Sequence, residues 1–177
     1  EPIITSPPSS SSSSSTSNNN SSSISQFLCT QGCNGQFTHF FRQTFHALDF
    51  ECPVGSPVLA IDDGVIVDIQ QSNCVSGIHS QNLYQWNSIM LKLTNNHHFV
   101  EYVHIQPNSA KFKVGDIVKQ GDVICLSGDV GFCPKPHLHI QLHDSREKNA
   151  PTIPLYFFDS LKQIYYLPKA GQLYPPS

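Results

Sequence analysis

The sequence predicts a single mainly β domain, a compact antiparallel β-sandwich spanning residues 27–177, behind a disordered low-complexity tail over residues 1–26. Three observations carry that prediction. From Phe27 onward, short apolar runs alternate with Gly, Pro, Asn and Asp, the punctuation of strands and turns. No long stretch repeats its apolar residues at the period of an amphipathic helix. Lastly, Gly55-Ser56-Pro57-Val58 through Asp63-Gly64-Val65-Ile66 is echoed by Gly115-Asp116-Ile117-Val118 through Gly121-Asp122-Val123-Ile124. Each copy reads turn, strand, turn, strand, a unit that folds back on itself in small sandwiches.

The tail comes first. Residues Ser6 to Ser23 are nearly all Ser, Asn, Pro and Thr, a composition with too little apolar surface to offset the entropy of ordering it. Asn20-Ser21-Ser22 within it fits the N-glycosylation pattern. Beyond the tail, the expected strands are Ala47 to Phe50, Pro57 to Ile61, Val65 to Gln70, Ser88 to Leu93, His98 to His104, Ile117 to Val118, Val123 to Ser127, His137 to Leu142 and Pro154 to Phe158.

Bulk properties narrow the function. A formal net charge of -3 and a pI near 6.3 lack the basic footprint of a nucleic-acid binder. No apolar run reaches the roughly 18 residues that span a bilayer. The chain opens on Glu1 with no charged and apolar export signal, as a secreted chain does after processing. Its six cysteines, Cys29, Cys33, Cys52, Cys74, Cys125 and Cys133, permit complete pairing in an oxidising compartment, although Cys125 in Val123-Ile124-Cys125-Leu126 reads as a small buried apolar residue.

The placement of the histidines carries the chemistry. In Pro136-His137-Leu138-His139-Ile140-Gln141-Leu142-His143 polar and apolar residues alternate. On a strand, His137, His139, Gln141 and His143 share one face while Leu138, Ile140 and Leu142 enter the core. Two imidazoles about 7 Å apart on one strand can serve a single metal and its water. The same face would also suit a solvated polar surface, and His143, next to Asp144, Ser145 and Arg146, reads as a surface histidine. A second cluster, Glu101-Tyr102-Val103-His104, places Tyr102 and His104 on a common strand face. A third runs from Thr38-His39 to His46-Ala47-Leu48-Asp49. A catalytic zinc takes three ligands from His, Asp, Glu and Cys and keeps a fourth position for water.

Together these segments resemble the lysostaphin and LytM type of peptidase. The matches, in family order, are His39 with Asp49, Gly55-Ser56-Pro57-Val58, Tyr102-Val103-His104, Val114-Gly115-Asp116-Ile117-Val118-Lys119-Gln120-Gly121, and His137-Leu138-His139. They run from about Gly32 to Leu142. The resemblance implies the duplicated hybrid motif fold and a zinc ion held by His39, Asp49 and His139. It also implies that His104 and His137 handle protons and the developing oxyanion beside the attacking water. The implied activity is hydrolysis of glycyl or other small-residue bonds in bacterial peptidoglycan peptides by a secreted monomer. One departure requires a choice of ligand, because His39 lies ten residues before Asp49 and His46 three before it, and neither is the common family spacing. An odd separation in extended chain puts His46 and Asp49 on opposite faces, whereas His39 can meet Asp49 across a hairpin through Phe40 to Thr44.

Two other classes compete. A binding module of the same fold would keep zinc and dispense with proton transfer, and His104, which the metal does not need, argues against it. A carrier domain would need an exposed lysine at a hairpin tip, and Lys119 has no Met-Lys-Met-like setting. The remaining features read as structural: His97-His98 at a solvated hairpin tip, His79 in a polar loop, and Tyr156, Phe157, Phe158, Tyr165 and Tyr166 as core. Tyr84 or Trp86, on a loop, could also line a substrate groove.

Overall fold

The computed structural model describes residues 26–147 and 149–175. The expectations for the tail, Asn20 included, lie outside these residues. Thirteen strands follow in order: β1 (Phe27–Gln31), β2 (Leu48–Glu51), β3 (Pro57–Leu59), β4 (Gly64–Gln70), β5 (Ser88–Leu93), β6 (Phe99–Val103), β7 (Ile117–Val118), β8 (Val123–Leu126), β9 (His137–His143), β10 (Thr152–Ile153), β11 (Phe157–Asp159), β12 (Ile164–Tyr166) and β13 (Leu173–Tyr174). A single 3-10 turn, Ser80–Asn82, is the one helical element among the described residues.

The long sheet has the order β13-β1-β2-β9-β6-β5-β4-β7, with β10 extending the ladder beside β9, and all its strand pairs are antiparallel. The internal echo has a structural counterpart. The first copy supplies β3 and β4 and the second β7 and β8, and they pair crosswise, β3 with β8 and β4 with β7. Leu48, Ile66, Ile89, Leu91, Tyr102, Ile140 and Leu142 form the apolar face of the long sheet. Val58, Ile124 and Cys125 cover it from the β3–β8 pair. Tyr102 ties the two layers, its hydroxyl accepting a hydrogen bond from the Ile61 amide at 2.9 Å.

Several expectations change. Of the strand expected from Pro154 to Phe158 only Phe157 and Phe158 pair, at the start of β11, while the separate β10 ends at Ile153, where the following proline has no amide hydrogen to continue the ladder. Strands β1, β10, β12 and β13 were not foreseen. All six cysteines are free thiols, so the pairing their even number permits does not occur. Cys125 does sit in the core, and burial pushes its thiol up to about 12. Of the late aromatics expected in the core, Phe157 packs against it half-buried, Tyr156, Phe158 and Tyr166 are half-buried, and Tyr165 is exposed.

Candidate metal centre and active-site cleft

Strand β9 lies centrally in the long sheet, between β2 and β6. Its register sets His139 opposite Asp49 on one side and opposite Val103 on the other. Directly opposed residues share a face, so Asp49 and His139 meet as a cross-strand pair. His139 Nδ1 lies 2.9 Å from Asp49 Oδ1.

His39 reaches the same point from outside the sheet. It sits in consecutive turns between β1 and β2 rather than on the expected hairpin. Gln31, at the end of β1 and opposite Asp49 in register, holds that loop. Its Oε1 accepts from the amides of Phe37 and Thr38, both at 3.0 Å, while its Nε2 donates to Thr38 Oγ1 at 2.8 Å and to Asp49 Oδ2 at 2.9 Å. Gly35 leaves the space that this side chain fills, since a Cβ there would collide with Gln31 Cγ. His39 Nε2 thereby comes within 3.3 Å of His139 Nδ1 and 3.2 Å of Asp49 Oδ1.

His39, Asp49 and His139 are all buried and within metal-sharing distance, as are His104, His137 and His139. Hydrogen bonds on the far side of each ring set the tautomers. His39 Nδ1 faces the Gly32 carbonyl at 3.0 Å, and His139 Nε2 faces Gln141 Oε1 at 3.0 Å. In the tautomers that can bind a metal, each of these nitrogens carries the ring proton and donates it to that acceptor. Bare lone pairs on His39 Nε2 and His139 Nδ1 then point at an Asp49 oxygen, an arrangement that repels unless a cation occupies its centre. The spacings of 2.9 to 3.3 Å match the edge of a tetrahedron, since ligands about 2.0–2.1 Å from a zinc ion stand about 3.3 Å apart. The donor set therefore fits zinc.

His46 is turned away. Its Nδ1 accompanies the Thr152 carbonyl at 2.8 Å, which places it with β10 and not with Asp49. His104 and His137 flank the centre, their rings 4.7 Å apart. His104 Nδ1 is anchored on the Val130 carbonyl at 2.7 Å and His137 Nδ1 on the Lys135 carbonyl at 2.7 Å, so both keep Nε2 for the cleft. His137 Nε2 lies 3.6 Å from Asp49 Oδ1. Burial pushes His104 down to about 3, so its ring is neutral and has a lone pair to offer.

The expected common face of Tyr102 and His104 is not what forms. Tyr102 opposes Ile140 in the core, and strand alternation would carry His104 there too. Instead β6 ends at Val103, and His104 adopts a φ of +64°, which turns its ring to the metal side. Left-handed backbone costs a non-glycine residue of order 1–3 kcal/mol and collects at functional sites. His143 is also corrected: it is buried, with neither ring nitrogen hydrogen-bonded. Phe37, Phe41, Tyr84, Trp86 and Phe132 wall the cleft, which places both Tyr84 and Trp86 along it. The contributions of Gln31 and Gln141 were not assigned from sequence. Gln141 carried a signal in its strand parity, whereas Gln31 carried none.

A mainly β domain with a buried His/Asp centre at the floor of a cleft is the architecture of a metallopeptidase. The profile of Peptidase family M23 matches residues 43–151, more than half of the chain, and the chain belongs to that family. His39 lies ahead of the matched stretch. Glycyl-glycine endopeptidase ALE-1 of Staphylococcus capitis is 35% identical over 116 residues, covering 65% of this chain and 29% of that protein. Peptidoglycan DD-endopeptidase ShyC of Vibrio cholerae is 32% identical over 108 residues, 60% of this chain and 22% of its own length. The chain thus spans less than a third of these relatives. The solved catalytic domain of lysostaphin from Staphylococcus simulans aligns with a TM-score of 0.53 and 28% identity, covering 73% of this chain and 87% of that one.

Proposed function

We propose that the domain is a zinc-dependent endopeptidase that cleaves glycyl or other small-residue bonds in peptidoglycan peptides, acting as a secreted monomer. The observation that carries this reading is the convergence of His39 Nε2, His139 Nδ1 and Asp49 Oδ1, three atoms able to ligate one ion, beside two histidines whose Nδ1 atoms are anchored on backbone carbonyls. His39, Asp49 and His139 hold the metal. When bound, zinc lowers the pKa of water towards about 7 and polarises a carbonyl, so no serine or cysteine nucleophile is needed.

The rest belongs to the protein. His104 and His137 lie on one side of the centre with fixed tautomers. One Nε2 accepts the proton of the attacking water, and the other stabilises the oxyanion or passes a proton to the leaving amine. Aromatic walls exclude water from the scissile bond and give flat surfaces against which a peptide backbone with small side chains can lie. The glycyl-glycine endopeptidase and the peptidoglycan DD-endopeptidase among the relatives support this substrate class.

Zinc content of the purified chain, measured together with loss of turbidity of bacterial sacculi and cleavage of Gly-rich and D-Ala-containing peptides, tests the proposal. One zinc per chain and cleavage of at least one substrate are expected. A zinc-loaded chain that cleaves none of them would make it a zinc-binding recognition module instead.

A further inference from the structure

Behind the metal side of His139, the Gln141 side chain that meets its Nε2 is itself held by the Glu101 carboxylate. Glu101 on β6 and Gln141 on β9 oppose each other in register, one pair along from Val103 and His139 on the same face. Gln141 Nε2 donates to Glu101 Oε2 at 2.7 Å, and Gln141 Oε1 stands 3.0 Å from His139 Nε2. A carboxylate has only acceptors to offer. The Gln141 amide is therefore locked, since turning it over would bring its oxygen onto the carboxylate. Locked this way, it presents an acceptor to His139 Nε2. Burial works against charge on Glu101, but the nearby His143 ring, its Nε2 3.7 Å from Oε2, and the hydrogen bond from Gln141 hold the carboxyl below its ordinary value.

The alternative matters because Asp49 Oδ1 lies 2.9 Å from His139 Nδ1. In the absence of metal, that oxygen would readily hold a proton on Nδ1, the tautomer that cannot ligate through this atom. We propose that Glu101 and Gln141 act as positioning residues that hold the ring proton of His139 on Nε2, keeping Nδ1 free for the metal. The inference rests on the zinc reading given above. A Gln that orients the metal ligand and a Glu that orients the Gln form a relay two residues deep, and outer partners of this kind typically contribute about 10–100-fold to metal affinity.

The test measures zinc binding to the full chain by competition with a chromophoric chelator, and the His139 tautomer by 15N NMR of the metal-free protein. Wild type should show the Nε2–H form. Gln141→Leu and Glu101→Leu should each weaken zinc binding by about 10–100-fold and move the proton towards Nδ1. Glu101→Gln, whose amide oxygen can still accept from Gln141, should recover most of the loss. Wild-type affinity and tautomer in both folded Leu variants would overturn the relay while leaving the zinc reading intact. An Nδ1–H form in metal-free wild type would overturn it without any variant. A wild type that binds no zinc would remove both proposals.

Discussion

Asp49 is the residue on which the site turns. One of its oxygens meets His39, His137 and His139, and the other is held by Gln31, so the carboxylate cannot rotate out of the centre. Its replacement by Ala, like that of His139, should abolish zinc binding, and full stoichiometry in either variant would reject the centre. His39 and His46 divide cleanly, because one ring faces the centre and the other faces Thr152. His39→Ala should therefore lose zinc while His46→Ala retains it, as read by metal analysis of the two proteins. His104 and His137 give the converse pattern. With Ala at either position zinc should stay bound, and hydrolysis should fall by at least the roughly 100-fold expected for a lost acid or base. Equal turnover by wild type and both variants would assign them to structure.

At the scale of elements, the segment following β8 aims the catalytic face. His104 depends on the Val130 carbonyl, and the next residue, Gly131, has a φ of +94° with its Cα against Trp86. A Cβ at Gly131 would fall 2.9 Å from Trp86 Cα, in a backbone conformation that L side chains rarely adopt. Gly131→Ala should shift the peptide that anchors His104 and the Trp86 wall together. The expected result is zinc content equal to wild type with kcat/KM reduced by at least about 10-fold, roughly 1.4 kcal/mol of transition-state stabilisation. Unchanged kinetics would show that the loop does not position His104. Strand β9 has a simpler logic. Its alternation sends His137, His139 and Gln141 to the chemistry, while Ile140 and Leu142 anchor it in the core.

Across the whole molecule, the two layers are joined where Tyr102 accepts from the Ile61 amide. Tyr102→Phe keeps the ring and strands that buried N–H, which should cost about 1–3 kcal/mol in denaturant unfolding. A cost near zero would mean that water replaces the hydroxyl. The proposed metal centre would make a second join, since His39 comes from the loop after β1, Asp49 from β2 and His139 from β9. An ion bound only by the folded chain stabilises it through mass action. Chelation should lower the thermal midpoint of wild type and leave that of His139→Ala unmoved. Identical midpoints with and without chelator would argue against a metal that bridges these elements.

What the sequence determined by itself was the material of the fold and most of the chemistry. Turn residues at short intervals and the absence of helical period impose a β domain, and alternation in His137 to His143 assigns faces without any tertiary knowledge. Family order among Asp49, Tyr102-Val103-His104 and His137-Leu138-His139 points to one type of peptidase. Only the tertiary structure decided what depends on meetings between distant segments. Register set Asp49 against His139 and Glu101 against Gln141, and a loop held by Gln31 brought in His39 over His46. His104 is the sharpest case: its φ of +64° reverses the face that strand parity assigns. Side-chain periodicity is a local property readable along one chain, whereas register, left-handed turns and hydrogen-bonded clamps are fixed by the packing of several chain segments at once.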